Sequence, residues 1–378
     1  MNTPLNILYI HEMSGLGGAE NSLLNLVEHM DKDKFKVFFV LPENGIFADK
    51  LRKLGIDVQF VKMPRFRFLI GADKAIRRLI GISREKDINL IHSQSIRTNM
   101  YGAIVAKLQK IPVIWHARSL VEKEMLDLDR LFSFLPDRII CNSKAVARRF
   151  EKNNRLIPKA RIIYNGVDLG KFNSGIDSRR VKEEFGLRGD TAVIGIASRF
   201  SKNKGHEYFF EEARTLKKIF KGRDIKFLVI GGAVFKEDAY REQYLRKVAN
   251  KLGLKDSVIF CGFREDMPEL FNALDIFVLT SRAEACGRVL LEAMASGRPV
   301  VATNSGGTPE LVPDGKAGVL IAPSKPHALS AAIIELLKDA GKRQEMGVAA
   351  RNWVEQNFSI ERNVKETERA YFELFHGC

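Results

Sequence analysis

The densest set of chemistry-bearing residues is Ser281-Arg-Ala-Glu284-Ala-Cys-Gly287-Arg288-Val289-Leu-Leu-Glu292, which continues to Gly297-Arg-Pro299 and then to Asn304-Ser-Gly306-Gly307-Thr-Pro-Glu310. An apolar run ends near Thr280, Gly287 opens a helical stretch, and Gly297-Arg-Pro299 closes it. The backbone amides of Gly287, Arg288 and Val289 would then form a helix N-terminus, where orphan N–H groups and the helix dipole favour a pyrophosphate. Glu284 and Glu292, with seven residues between them, would flank that anion and accept hydrogen bonds from a sugar on one side and a ribose on the other.

A second cluster, Ser198-Arg199-Phe-Ser-Lys-Asn-Lys204-Gly205, sets cations just after an apolar run. Arg199 as a fork and Lys204 as a point charge could neutralise a diphosphate. When a bond to such a leaving group breaks, negative charge grows on it, and fixed cations stabilise that charge without a metal. The competing reading is a solvated loop; position at a strand's carboxyl end favours the functional one. Near the N-terminus, His11-Glu-Met-Ser-Gly15-Leu-Gly17-Gly18-Ala-Glu20 is a glycine-rich strand-to-helix turn. Gly17 and Gly18 could admit a phosphate or sugar, but the third glycine of the dinucleotide fingerprint is missing, and such turns serve close packing equally well. His11, His92 and His116 each follow or end a proposed strand. A lone histidine is more often structural, so only His116 is taken forward as a catalytic candidate. Asp31-Lys-Asp33 and Asp127-Leu-Asp129 have a metal-binding look, but both sit in polar contexts away from strand carboxyl ends, and residues two apart on a helix do not face together. No metal is expected.

The elements that must position these groups are legible from the alternation of short apolar runs with longer stretches of helical period. Strands are expected at 5–10, 36–41, 57–61, 88–92, 112–116, 137–141 and 161–164, and again at 192–197, 225–230, 257–260, 275–279, 299–302 and 317–320. Their nearly continuous apolar character suits parallel sheets covered on both faces. The break after Tyr164-Asn-Gly-Val-Asp168 divides two doubly wound, Rossmann-like α/β domains, 1–168 and 169–357. The 358–378 segment carries Ile360, Val364, Tyr371, Phe372 and Phe375 at helical spacing, an amphipathic helix free to pack on either domain. Ligands in such sheets bind beyond the strands' carboxyl ends, so two facing domains invite a ligand in a central cleft.

Taken together, the two glutamates, the Gly-Gly-Ala-Glu turn, the Lys204-Gly205 loop, Asn142-Ser-Lys-Ala-Val and Ile163-Tyr-Asn-Gly-Val-Asp168 resemble glycosyltransferase family 4, in the right order over nearly the whole chain. The resemblance implies the GT-B fold, with the C-terminal helix crossing back onto the first domain, and retaining transfer of a hexosyl unit. It implies a nucleotide-sugar donor bound by the second domain and an acceptor bound by the first. Glu284 would hold donor-sugar hydroxyls, Glu292 the ribose, and Arg199 with Lys204 the pyrophosphate. The backbone at Gly262-Phe263-Arg264 would meet the base, the glycine turn would face donor phosphate and acceptor, and His116 would sit near the reacting anomeric carbon. Ser198, where a glycine is common, and Ala285-Cys286, in place of a more usual Gly-Phe, are departures that bear on donor preference. A UDP-sugar and an envelope glycan or lipid-linked acceptor, as in polysaccharide or lipopolysaccharide synthesis, are expected on the resemblance and the basic first half. A front-face mechanism is the accompanying expectation, since no fixed nucleophile is evident.

Composition fits a folded two-domain chain of 378 residues, with 45% hydrophobic and 28% charged residues. Of the net charge of +15, residues 1–172 carry 29 Lys+Arg against 18 Asp+Glu, an excess of 11, and the other 206 residues an excess of 4. That asymmetry points to an anionic partner, such as a phosphorylated acceptor, a membrane surface or nucleic acid, against the plainer reading of a solvated face. Met63-Pro-Arg65-Phe66-Arg67-Phe68 through Arg78 mixes cations with aromatics and is the candidate for peripheral membrane contact. The first residues lack a signal peptide's form and no apolar run approaches a membrane span, so a cytoplasmic protein is expected. Cys141, Cys261, Cys286 and Cys378 have no paired spacing. Competing functions are a nucleotide-sugar epimerase of the same fold and a basic protein binding nucleotide or nucleic acid. A dinucleotide-dependent oxidoreductase lacks its full glycine fingerprint, and no nucleic-acid-binding motif is present.

Overall fold

The computed structural model describes residues 3–65, 69–121, 126–151, 159–232 and 236–376. The chain forms two compact units, 1–166 with 360–378, and 167–359. The division lies between Gly166 and Val167 rather than after Asp168. Val167 bridges Ser359 in parallel and donates its N–H to the Phe358 carbonyl at 2.9 Å, which ties 167–168 to the second unit.

The first unit is a parallel sheet of seven strands among the described residues: β1 (Leu5–Ile10), β2 (Phe35–Leu41), β3 (Asp57–Phe60), β4 (Leu90–Ser93), β5 (Val113–Ala117), β6 (Arg138–Cys141) and β7 (Ala160–Ile162). Their order is β3-β2-β1-β4-β5-β6-β7. The second holds β8 (Ala192–Ala197), β9 (Ile225–Ile230), β10 (Val258–Gly262), β11 (Ile276–Leu279), β12 (Val300–Thr303) and β13 (Gly318–Ile321), ordered β10-β9-β8-β11-β12-β13. Every strand is parallel to its neighbours. Both are doubly wound Rossmann-like sheets, and each strand expected from the apolar runs is present. The reason is physical: helices cover both faces, so a central strand such as β8 is buried throughout and reads as continuous Ala-Val-Ile-Gly-Ile-Ala.

In each sheet the order reverses beside the first strand, between β1 and β4 and between β8 and β11. Loops leaving adjacent strands diverge there, which opens a crevice at the carboxyl ends.

The C-terminal helix runs Ile360–His376 and packs on the first sheet. Ile360, Val364, Ala370 and Tyr371 are buried in one cluster with Ile7, Tyr9, Leu23, Phe39 and Ile114. The helix begins two residues later than the periodicity suggests, because Phe358 ends the preceding Ala340–Asn357 helix. The opposite sheet face is covered in part by the Leu69–Glu85 helix, whose Ala72, Ala75, Leu79 and Ile82 join a second core. Lys74, Arg77 and Arg78 on that helix face solvent. Phe66, Arg67, Phe68 and Cys378 lie outside the described residues. Among the described residues no helix is long and apolar enough to cross a membrane.

Candidate functional site

The loops after β8 and β11, neighbours at the reversal point, bring the lysine cluster against the first glutamate. Lys204 closes a short 3-10 turn, and Gly205 follows at φ +70°. A Cβ on Gly205 would stand 2.3 Å from the Thr280 carbonyl oxygen, so only glycine lets the loop lie this close to the end of β11. Thr280 Oγ1 donates to the Lys204 carbonyl at 2.8 Å, and Arg282 N–H to that of Asn203 at 2.8 Å. Held in this way, Lys204 Nζ lies 2.6 Å from Glu284 Oε2.

Glu284 also accepts from Ser281 Oγ at 3.0 Å and from the Gly287 N–H at 3.3 Å. Burial works against its charged form, but the Lys204 charge and hydrogen bond, with Ser281 and Gly287, outweigh it and hold the carboxyl below its ordinary range. Gly287, at φ +53°, is the N-cap of the Arg288–Ala295 helix, with Val289 one residue further in. The Gly307 N–H donates to the Glu284 carbonyl at 2.8 Å, fixing the backbone from the next loop. A cation, a carboxylate and a helix N-terminus therefore share one point. The carboxylate can accept hydroxyl protons, and the ammonium and amides can turn to an anion.

Glu292 is buried inside the same helix and pairs with the Arg288 guanidinium. Burial pushes its carboxyl up, with the Arg288 and Lys171 charges and the Arg288 hydrogen bond working against that. Arg288 thus contributes a side chain as well as its amide. Arg199 is exposed beside Ser198, whose hydroxyl lies 3.1 Å from His206 Nε2.

The loop after β10 offers its backbone and the exposed Phe263 ring. The Arg264 side chain is held elsewhere. Its Nη2 donates to Glu184 at 2.7 Å and to Asp266 at 2.6 Å, and both acids raise its pKa. Gly231, at φ +139°, would place a Cβ 2.0 Å from the Ser198 carbonyl oxygen, so the loop after β9 crosses directly over that after β8.

In the first unit the glycine turn folds onto itself. Glu20 Oε2 accepts the Gly17 N–H at 2.8 Å and Oε1 pairs with His11 Nε2 at 2.8 Å. The Gly17 amide expected to face a phosphate is thus occupied by Glu20, a capping arrangement the glycine spacing does not reveal. Gly18, next in the helix, is exposed.

His116, near the end of β5, is buried. Its Nδ1 lies 3.2 Å from His92 Nε2 and 3.3 Å from Arg118 Nη2, while Nε2 has no hydrogen-bond partner among the described residues. Asn165, from the Tyr-Asn-Gly-Val-Asp segment, braces Arg118 Nη1 at 3.1 Å. In Asn142-Ser-Lys-Ala-Val, Ser143 caps the Lys144–Ala147 turn.

Asp127 and Asp129 do meet, contrary to the expectation from their spacing. Asp127 is the N-cap outside the helix, and both carboxylates reach Arg149 Nη2, at 2.6 and 3.1 Å. Asp31 pairs with Lys34 at 2.5 Å. Among the described residues no group of three or more His, Cys, Asp or Glu is placed to hold a metal ion.

Residues that the motif reading passed over include Ser281, which fixes Glu284; Arg288's guanidinium; and Thr308, whose buried hydroxyl has no partner among the described residues. Ser281, three residues before Glu284 at a strand end, was open to recognition; the others depend on packing.

Buried histidines make stability depend on pH, His92 and His206 among them. Burial, helped by Arg118, pushes His92 down to about 3; burial, helped by Arg241 and Lys204, does the same to His206. Both bind a proton more readily when unfolded, near pH 6.5, so their contribution is complete above that pH and drains as pH falls toward 3. Between pH 7.5 and 5 each should cost about 2 kcal/mol of stability. Urea unfolding at both pH values should show a smaller loss in His206→Gln than in the parent chain; equal losses would contradict the assignment.

Residues 177–353 match the family described as Glycosyl transferases group 1, and residues 16–171 match Glycosyltransferase Family 4. The chain is 25% identical to the UDP-Gal:alpha-D-GlcNAc-diphosphoundecaprenol alpha-1,3-galactosyltransferase of Escherichia coli, over 99% of this chain and 98% of that one. It is 34% identical to the GDP-mannose-dependent alpha-(1-6)-phosphatidylinositol monomannoside mannosyltransferase of Mycolicibacterium smegmatis, over 51% of each. Anabaena Alr3699/HepE, solved in complex with UDP-glucose, has a similar fold at a TM-score of 0.85 and 25% identity, covering 98% of this chain and 100% of that one.

Proposed function

The chain belongs to the glycosyltransferases of group 1 and family 4, with the GT-B architecture, and on that premise we propose that it moves a hexosyl unit from a UDP-sugar to a glycan or lipid-linked saccharide, with retention of configuration and without a metal. The observation that carries this reading is the Lys204–Glu284–Gly287 arrangement at the N-terminus of the Arg288–Ala295 helix. In this reading the second unit holds the donor: Lys204, Arg199 and the amides of Gly287, Arg288 and Val289 take the diphosphate, Glu284 the sugar hydroxyls and Glu292 the ribose. The first unit takes the acceptor. The full-length Escherichia coli relative, named for UDP-Gal and a diphosphoundecaprenol acceptor, and the UDP-glucose complex of Alr3699/HepE favour uracil over guanine and an envelope acceptor. Neither an epimerase nor a nucleic-acid-binding protein finds support among these relatives.

In the transfer step the bond between the anomeric carbon and the diphosphate oxygen breaks. Its electron pair leaves with the nucleoside diphosphate, where Lys204 and Arg199 stabilise the charge. The acceptor hydroxyl bonds the anomeric carbon on the face just vacated, and its proton passes to the departing phosphate oxygen. The basic helix carrying Lys74, Arg77 and Arg78 is proposed to sit at the cytoplasmic membrane surface, where each cation could contribute about 1 kcal/mol.

Incubation with UDP-sugars, a lipid-linked saccharide and a chelator, followed by proton NMR of the product, tests the reading. An α-linked product from an α-linked donor is expected. An inverted product would remove the front-face step, and loss of turnover with chelator would remove metal independence.

A further inference from the structure

The first unit contains a buried column of stacked aromatic and imidazole rings. Phe39, Tyr9 and His92 occupy partnered positions on adjacent strands β2, β1 and β4, so their side chains leave the sheet on one face. They stack, with ring centroids 4.8 Å apart for Tyr9–Phe39 and 4.6 Å for Tyr9–His92, and His116 continues the stack at 5.3 Å from His92. From the C-terminal helix, Tyr371 Oη reaches Tyr9 Oη at 2.5 Å and His92 Nδ1 at 2.7 Å.

The direction of every hydrogen bond in this column follows from one group. Arg118 carries only donors, so His116 Nδ1, facing its Nη2, must be unprotonated. A neutral His116 then carries its proton on Nε2, the buried nitrogen without a partner among the described residues. His92 Nε2, facing the same Nδ1, must donate, which leaves His92 Nδ1 as an acceptor. Tyr371 O–H supplies that donor, and Tyr9 O–H in turn donates to the Tyr371 oxygen. Burial, the Arg118 charge and the neighbouring ring together disfavour a second proton on His116. An unpaired buried N–H costs free energy, so Nε2 is poised for an acceptor atom that the described residues do not provide.

We propose that Tyr371, carried on the C-terminal helix, is a positioning residue for sugar transfer: by fixing His92 as an Nε2–H donor it joins Arg118 in holding His116 as the Nε2–H tautomer, so that His116 donates a hydrogen bond to a substrate oxygen and does not act as a base. The proposal rests on the reading of His116 as a substrate contact. It gives the returning C-terminal helix a chemical role beyond packing, because removing one hydroxyl from it would free His92 to turn its proton away from His116 and leave Arg118 alone on that nitrogen.

Two measurements on the full chain test this. Nitrogen-15 NMR of the histidine-labelled protein, with His116 assigned by its loss in His116→Gln, should show Nδ1 unprotonated and Nε2 protonated at neutral pH; the opposite tautomer, or a charged ring, would overturn the proposal. Turnover of UDP-glucose, UDP-galactose or GDP-mannose, slow hydrolysis by water included, should fall roughly tenfold in kcat in Tyr371→Phe, the worth of about one hydrogen bond, with donor KM unchanged. In a His116→Gln background the same substitution should cost nothing further. An equal loss in both backgrounds would mean that Tyr371 only braces the helix. If none of these sugar nucleotides is turned over by the parent chain, the functional reading fails, and the nitrogen-15 measurement still decides the His116 tautomer.

Discussion

Glu284→Ala should reduce transfer by roughly ten- to hundredfold while leaving nucleoside diphosphate affinity unchanged or stronger. The loss follows from removing a carboxylate that accepts sugar hydroxyls, with a hydrogen bond to a charged group worth about 1.5–3 kcal/mol. The retained affinity follows from what Glu284 itself holds. Its two oxygens hold Lys204 Nζ, Ser281 Oγ and the Gly287 N–H. Alanine releases a part-buried ammonium and a helix N-terminal amide, both of which suit a phosphate. Isothermal titration with UDP and turnover of the UDP-sugar, measured on the same preparation, separate the two effects. Parallel loss of both would mean that Glu284 chiefly holds the loop together. Unchanged turnover would take it out of the site.

The strands were open to reading because each is buried on both faces, a property written locally as an uninterrupted apolar run. The Glu284–Glu292 segment was open for a related reason: a strand end, a glycine cap and a helix are consecutive in the chain. What stayed closed depends on residues far apart in sequence. Nothing near position 371 marks its tyrosine as different from Phe372 or Phe375; its partners lie 279 and 362 positions away. The occupied Gly17 amide and the meeting of Asp127 and Asp129 on Arg149 are not legible from spacing because both depend on cap geometry, where the residue before a helix escapes the helical spacing rule. At Arg264 only the backbone position follows from the sequence, since the side chain is tied to Glu184 and Asp266, the first 80 positions away.

Glu292→Ala should show the opposite balance, with nucleotide affinity falling about 10- to 100-fold. Glu292 is buried and its charge rests on Arg288, a carboxylate whose solvation is replaced by one guanidinium. Ribose hydroxyls would supply the remaining donors, and that gain explains why so costly a group is kept there. Because burial raises its pKa, nucleotide binding should weaken as acidic pH protonates Glu292, and at a higher pH than an ordinary carboxylate would allow. Thermal unfolding with chelator, with UDP at about 100 times the parent dissociation constant, should stabilise the parent by roughly 2.7 kcal/mol. A hundredfold weaker variant at the same concentration would gain only about 0.4 kcal/mol. Glu292→Gln, which keeps the volume and one acceptor oxygen, should fall between them. A UDP shift that survives in both variants would place the ribose elsewhere, and a shift with GDP alone would keep the site and change the base.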